Sequence, residues 1–264
     1  MFGGIIKCML GKKRFQGLFK KMHKICLSGM NIGLGADPKN SGEIIVLEYI
    51  KRKSTNKNKL VIFDVGANIG DYSRLLEEFF SDRADIYCFE PSRETYRKLS
   101  ENFNGKKNIH IYNLGFSNED KTVFLFADKN ASGLASLYKR RLDHFNIHMN
   151  ETEQVKVMTV DNFCRGEGIK KIDFLKLDIE GHELQALEGA REILKSNSID
   201  FIQFEFGGCN IDSRTFFQDF YYLLKDDFYI YRIIQDGLYP IEKYEEACEC
   251  FITTNFFAER RNKL

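Results

Sequence analysis

From residue 60 onward, short apolar blocks alternate with longer stretches of helical spacing. Leu60-Val-Ile-Phe-Asp64 is an apolar run stopped by Gly66, the pattern of a strand buried on both faces. Tyr72, Leu75, Leu76, Phe79 and Phe80 then mark one face of a helix. Ile86–Phe89 and Ile109–Tyr112 repeat the strand pattern, and between them Pro91-Ser92 opens a helix carrying Tyr96, Leu99 and Phe103. Ile172–Leu177, a helix with Leu184, Leu187 and Leu194, and the strand Ile199–Phe206 continue the series. Strands alternating with helices of this length predict parallel βαβ units in an α/β fold.

Two segments break the rhythm. Val123–Phe126 and Val155–Val160 read as strands in a β-rich insertion, about residues 121–160. The polar stretch between them, 128–154, is long enough for a functional loop or lid. After a helix with Phe216, Phe217, Phe220 and Leu224 come Phe228–Ile234 and Cys250–Phe257, β-rich stretches that can pair antiparallel at a sheet edge. The expected sheet is doubly wound and Rossmann-like, mostly parallel with an antiparallel C-terminal strand.

Residues 1–58 follow a third pattern, read as a helical arm ahead of a single domain over 59–264. Phe2, Ile5, Ile6, Met9 and Leu10, then Phe15, Leu18, Phe19, Met22 and Ile25, fall at helical spacing. Lys7, Lys12, Lys13, Arg14, Lys20, Lys21 and Lys24 fill much of the remainder. The whole chain balances 39 Lys+Arg against 38 Asp+Glu, yet residues 1–60 hold 13 and 3 of these. A basic arm therefore precedes a mildly acidic body, which has no field suited to wrapping nucleic acid. Such a helix can lie on an anionic membrane surface; its apolar stripe can equally pack on the body or on a second copy in a homodimer.

Composition narrows the class. The 43% apolar content fills a sizeable core and excludes a disordered tail. The cysteines at 8, 26, 88, 164, 209, 248 and 250 are odd in number and lack a framework spacing. No secretory leader opens the chain and no apolar run approaches the ~18–20 residues that span a bilayer. The expected setting is the cytoplasm with reduced thiols, with the arm able to reach the inner face of a membrane.

In a doubly wound sheet, ligands bind beyond the carboxyl ends of the strands. Strand one ends in Asp64 and Gly66, strand two in Glu90, strand three in Asn113 and Gly115, the next in Asp178 and Glu180, and the last parallel strand in Glu205 and Gly207. Polar groups and glycines thus converge on one edge. The turn Asp64-Val-Gly-Ala-Asn-Ile-Gly70-Asp71 lets backbone approach a ligand and aims N–H groups at an anion. Its two glycines are four apart, not in a G-x-G-x-x-G frame. That spacing suits a ligand with a carboxylate and a cationic centre better than a pyrophosphate, and Glu90 is placed for ribose hydroxyls.

These residues resemble a known family. Gly29–Gly33, Ser41-Gly-Glu43, Phe63-Asp-Val-Gly-Ala-Asn-Ile-Gly-Asp-Tyr-Ser73, Phe89-Glu-Pro91, Val160-Asp161 and Phe174-Leu-Lys-Leu-Asp-Ile-Glu-Gly-His-Glu183 are similar to motifs of FkbM-type methyltransferases. The resemblance runs from about residue 27 to 258 and implies a class I methyltransferase sheet using S-adenosylmethionine. It implies methyl transfer to oxygen, with a carbohydrate or small-molecule hydroxyl as acceptor. By the family pattern Gly66 and Asn68 contact the methionine part of the cofactor and Glu90 its ribose. The loop Asn113–Ser117, with Gly115, lies against the adenine, and Asp178 lines the methyl-transfer centre. Glu43, Asp64, Ala67, Gly70 and Pro91 complete the expected cofactor site.

Three residues compete as the base that takes the acceptor's proton. Asp178 has the positional argument, His182 an ordinary pKa of ~6.5 suited to neutral pH, and Glu205 a strand-end position. Glu180 and Glu183 can instead stabilise the helix N-terminus beside them. Asp178, Glu180 and Glu205 offer oxygen ligands for a divalent metal, but spacing does not select one and no metal is predicted. Two other classes stay open at this point: a nicotinamide-dependent oxidoreductase on the same fold, and a non-catalytic membrane- or partner-binding module.

Overall fold

The computed structural model describes residues 8–34 and 41–261. Phe2, Ile5, Ile6 and Lys7 of the expected arm lie outside the described residues. The helices are α1 (Gln16–Gly29), α2 (Glu43–Lys53), α3 (Asp71–Phe80), α4 (Arg93–Asn102), α5 (Val160–Glu167), α6 (Glu183–Glu188), α7 (Arg191–Lys195), α8 (Cys209–Ser213) and α9 (Phe217–Leu224). The strands are β1 (Leu60–Val65), β2 (Ala84–Phe89), β3 (Ile109–Tyr112), β4 (Gly115–Phe116), β5 (Lys121–Ala127) and β6 (Glu151–Met158), then β7 (Ile172–Leu177), β8 (Ile199–Phe206), β9 (Phe228–Ile234), β10 (Gly237–Pro240) and β11 (Thr254–Arg260).

The main sheet has the order β10-β9-β11-β8-β7-β1-β2-β3. β3, β2, β1, β7 and β8 are parallel, and β11 inserts antiparallel between β8 and β9. The chain reverses its strand order on either side of β1, so the carboxyl ends of β1, β2 and β7 border one crevice. Two buried clusters cover the two faces. One joins Phe63, Val65 and Phe89 to Val160, Leu187 and Phe220; the other joins Ile62, Ile86 and Phe257 to Val46, Leu76 and Leu99. Alternate residues of β1 thus feed opposite layers, which explains its unbroken apolar run.

The expected insertion forms its own sheet of order β4-β6-β5, with β5 and β6 antiparallel. The single helix expected over Leu184–Leu194 is two. Its break falls at Gly189, where a Cβ would stand 2.0 Å from the Ser117 carbonyl oxygen. Asp161 then accepts from the backbone N–H groups of Glu192 and Ile193 at 2.8 and 3.0 Å and caps α7.

The expected arm of 1–58 also divides. In α2, Val46, Leu47 and Ile50 are fully buried against the sheet, so this helix belongs to the body. α1 does not pack on the body along its apolar stripe, since only its Leu27 is buried and Ile25 is 71% exposed. Among the described residues no helix is long and apolar enough to cross a membrane, and the cysteines are free thiols.

Candidate active site

β1 runs into the turn Gly66–Gly70 through left-handed backbone at Gly66, Asn68 and Gly70, with φ of +82°, +49° and +96°. At Gly66 space also forbids a side chain, because a Cβ would stand 1.9 Å from the Asp178 carbonyl oxygen. The ends of β1 and β7 therefore meet closely. The N–H groups expected to face an anion are already engaged. Gly66 and Ala67 both donate to the Phe89 carbonyl at 3.0 Å, Gly70 donates to the Ala67 carbonyl at 2.8 Å, and Asn68 donates to the Glu90 carboxylate at 3.1 Å. Fewer N–H groups of the turn are therefore free for an anion than the spacing suggests.

Glu90 directly follows β2. Its other oxygen accepts from the Ser92 N–H at 2.9 Å, and burial pushes its carboxyl up to about 7. Asn113 braces it from outside the cleft, donating to the Glu90 and Pro91 carbonyls at 2.9 and 2.8 Å. On the other side of β1, Asp178 follows β7 and receives the Lys176 ammonium at 3.0 Å. Lys176 is buried inside a strand, with Asp64 at 3.8 Å and the Tyr72 ring centroid at 4.5 Å. Burial works against its charge, yet Asp178, Asp64 and Glu43 more than offset this and hold the ammonium above its ordinary range.

These groups border one cleft. Its polar wall comes from the main sheet: Gly66, Asn68, Glu90, Asp178 and Glu180. Its apolar wall comes from the three-stranded sheet, with Phe116 of β4, Leu125 of β5 and Val157 of β6, joined by Pro91 and Ile179. A carboxylate ready for hydroxyl donors opposite a flat apolar slot fits an adenosyl group.

A strap from the polar segment 128–154 closes over this space. Ser132, Gly133, Ala135, Ser136 and Leu137 line it. Ser136 pairs with Phe126 of β5 through two backbone hydrogen bonds, and three side-chain ties join the strap to the turn after β7: the Ser136 hydroxyl donates to the Glu180 carbonyl at 2.7 Å, Tyr138 Oη lies 2.9 Å from His182 Nδ1, and Arg140 pairs with the Glu180 carboxylate. Motif spacing gave no sign of Ser136, Tyr138, Arg140 or Phe116. The one available signal for the apolar wall is the alternation Val155/Val157 in a strand already expected.

Of the expected residues, Gly66, Asn68, Glu90, Pro91, Asp178 and His182 line the cleft. The others stand behind it. Asp64 is fully buried and accepts from the Ser73 hydroxyl at 2.6 Å, and Glu43 is buried between Ser41 and Gln203, at 2.9 and 2.6 Å. Both serve the buried polar network and do not line the cleft, unlike the cofactor role expected of them. Ala67 is buried in the turn, a Gly70 Cβ would strike Phe103, and a Gly115 Cβ would press on Val157 at 3.2 Å. These positions shape the cleft without lining it, as does Ser117, whose hydroxyl lies 3.0 Å from His182 Nε2.

Two of the three base candidates are set for other work. His182 has both ring nitrogens in hydrogen bonds, and burial pushes its pKa down to about 4. It is a neutral link between strap and Ser117, too weak a base to hold a hydroxyl proton at neutral pH. Burial, then Asp178, Glu180 and Glu183, push the Glu205 carboxyl well above its ordinary range. Glu205 faces the Arg140-paired Glu180 and accepts from the Cys209 thiol at 4.0 Å. Glu183 accepts from the Ile179 and Gly181 N–H groups at 2.9 and 3.2 Å and orders the turn after β7. Among the described residues, the group able to converge on a cation is Glu180, Glu205 and Cys209, with ligand atoms within 4.8 Å of one another. Asp178 is not in it and Arg140 already occupies Glu180, so the donor set does not suit magnesium.

A parallel sheet reversing at β1, with a glycine turn after it and carboxylates after β2 and β7, defines a class I methyltransferase architecture. The chain belongs to the FkbM methyltransferase family, whose domain model matches residues 64–231. It is 26% identical over 150 residues to the hexuronic acid methyltransferase AglP of Haloferax volcanii, covering 56% of each chain. It is 23% identical over 155 residues to the 2-O-methyltransferase NoeI of Sinorhizobium fredii, covering 54% of this chain and 63% of that protein. The methyltransferase sdnD of Sordaria araneosa is 27% identical over 157 residues, covering 50% of this chain and 60% of that protein. The chain thus spans less than two thirds of the length of these relatives.

Proposed function

We propose that this chain transfers the methyl group of S-adenosylmethionine to a hydroxyl of a sugar in a glycan or glycan precursor. The observation that carries this reading is the cleft, in which Glu90 and Asp178 stand at the ends of the two strands flanking β1. The relatives' names supply the acceptor chemistry, one a hexuronic acid and the other an oxygen acceptor. Membership in a methyltransferase family and the engaged N–H groups of the turn argue against a nicotinamide oxidoreductase.

The cofactor supplies a methyl carbon on a positively charged sulfur. Glu90 would take the ribose hydroxyls, Phe116, Leu125 and Val157 would hold the adenine, and Gly66 and Asn68 would hold the methionine part. Asp178 accepts the hydrogen bond of the acceptor hydroxyl and turns an oxygen lone pair toward the methyl carbon. When the methyl group is transferred, Asp178 would take the proton of the acceptor hydroxyl. The strap excludes water, the competing acceptor.

Thermal shift with S-adenosylmethionine, S-adenosylhomocysteine and NADH tests the reading. Ligand at 100 times its Kd stabilises by ~2.7 kcal/mol, so both adenosyl ligands should raise Tm and NADH should not. A response to NADH alone would overturn the proposal.

Two variants refine it. Glu90→Gln should weaken cofactor binding about ten- to a hundredfold, the worth of hydrogen bonds to a charged group. Hydroxyl donors favour the ionised carboxylate, so wild-type affinity should fall about tenfold per pH unit below pH ~7, and the variant should lose that slope. Titration calorimetry at several pH values reads both, and a flat wild-type profile would remove Glu90 from the ribose. Arg140→Ala frees one tie of the strap and should speed cofactor dissociation about tenfold in stopped flow; an unchanged rate would mean the strap does not gate the cleft.

A further inference from the structure

The feature with no role in the cleft is α1. Its apolar residues Leu18, Met22 and Ile25 fall at helical spacing on one face and are 46%, 47% and 71% exposed. Lys20, Lys21 and Lys24 flank this stripe on one side, preceded by Lys12, Lys13 and Arg14. No aspartate or glutamate occurs before Asp37, so the segment carries cations alone. An exposed apolar stripe bordered by lysines in a stretch free of acids matches the headgroup boundary of an anionic bilayer, which offers hydrocarbon and negative charge together.

The base of the helix is fixed. The Asn31 side-chain amide donates to the Ser41 and Ile233 carbonyls at 2.8 and 3.1 Å, and the Gly33 N–H donates to the Thr253 carbonyl at 2.9 Å. Ile233 lies at the carboxyl end of β9. Thr253 precedes β11, whose first residue, Thr254, pairs with Phe206 at the carboxyl end of β8. The arm therefore joins the body at the strand-end edge of the sheet, the same edge that carries the carboxylates of the cleft. Apolar surface continues there, with Ile252 40% exposed beside Gly33.

We propose that α1 is a membrane-docking helix that holds the strand-end edge of this protein against an anionic bilayer. A second copy is the poorer occupant: a two-fold pairing of this face would bring two acid-free basic segments together. The lipid surface satisfies both faces of the helix at once. Docking at this edge would place the cleft beside acceptors carried on lipid, but the docking itself does not depend on the methyl-transfer reading.

Co-sedimentation of the full chain with phosphatidylcholine vesicles, with and without phosphatidylglycerol, tests the proposal. The protein should pellet with the anionic vesicles, release as salt rises, and stay in solution with phosphatidylcholine alone. Each lysine near such a surface is worth about fivefold in partitioning, so combined Lys20→Gln, Lys21→Gln and Lys24→Gln should lower it on the order of a hundredfold. Combined Leu18→Ser, Met22→Ser and Ile25→Ser should abolish it. Both triple variants alter exposed positions and should keep the wild-type Tm and its response to S-adenosylmethionine, which separates lost docking from misfolding. No binding by the wild type, equal binding to both vesicle types, or binding indifferent to the serine variant overturns the proposal. A dimer in light scattering that the serine variant dissociates, without vesicle binding, assigns the face to a second copy instead.

Discussion

Asp178→Asn is expected to lower kcat by about 10²–10⁴-fold while leaving cofactor affinity within about threefold. The asparagine keeps size and one acceptor oxygen, so the closure between β7 and Gly66 is undisturbed; that contact uses the Asp178 backbone carbonyl. What disappears is the charge that draws the acceptor hydroxyl's proton. Lys176, at 3.0 Å, holds the carboxylate in place. On the proposed function, Asp178 would contribute first by aligning the hydroxyl and second by receiving its proton. The split between kcat and Kd is the readout, from steady-state rates with a sugar acceptor and calorimetry on the same preparation. A variant with full kcat would remove Asp178 from the reaction; equal losses in both would make it a cofactor ligand only.

The skeleton of this site is written in strand ends, and the sequence displays strand ends well. β1, β2, β7 and β8 are apolar on both faces, so each polar residue that terminates them stands out: Glu90 after Phe89, Asp178 after Leu177. Which polar residue then faces the ligand is a matter of rotation and long-range partners. Asp64 precedes Val65 and points into the sheet layer toward Ser73, whereas Glu90 and Asp178 lie past their strands and face outward. Glu43 looks equally polar, yet its partner is Gln203, 160 positions away. The strap is harder still, because Ser132, Gly133, Ala135 and Ser136 have neither periodicity nor charge to announce them. Lys176 does carry a signal. A lysine in the middle of Phe174-Leu-Lys-Leu177 cannot be buried without a carboxylate, although nothing local says that Asp64, from a different strand, is one of those that meet it.

That pairing makes Lys176→Met the variant with the largest expected effect on stability, about 3–5 kcal/mol, the usual result of removing one partner of a buried ion pair. Methionine fills the space and keeps the strand apolar, but it leaves Asp64, with no exposed surface, facing only the Ser73 hydroxyl. Burial already pushes the Asp64 carboxyl above its ordinary range, and Lys176 is the main force opposing this. Without the ammonium the folded-state pKa rises further above the unfolded one. A raised carboxyl costs nothing below the unfolded pKa, where both states are protonated. The cost grows as pH rises from ~4 toward the folded value, because only the unfolded chain then gains from ionising. The deficit of Lys176→Met relative to wild type should therefore be small near pH 4 and greatest at neutral pH. Adding Asp64→Asn should recover part of it, since a neutral amide at that position no longer needs a cation. Chemical denaturation of the wild type and the two variants across this range decides the matter. A deficit independent of pH, or no recovery in the double variant, would mean that Lys176 stabilises the sheet by packing over Tyr72 and not by its charge.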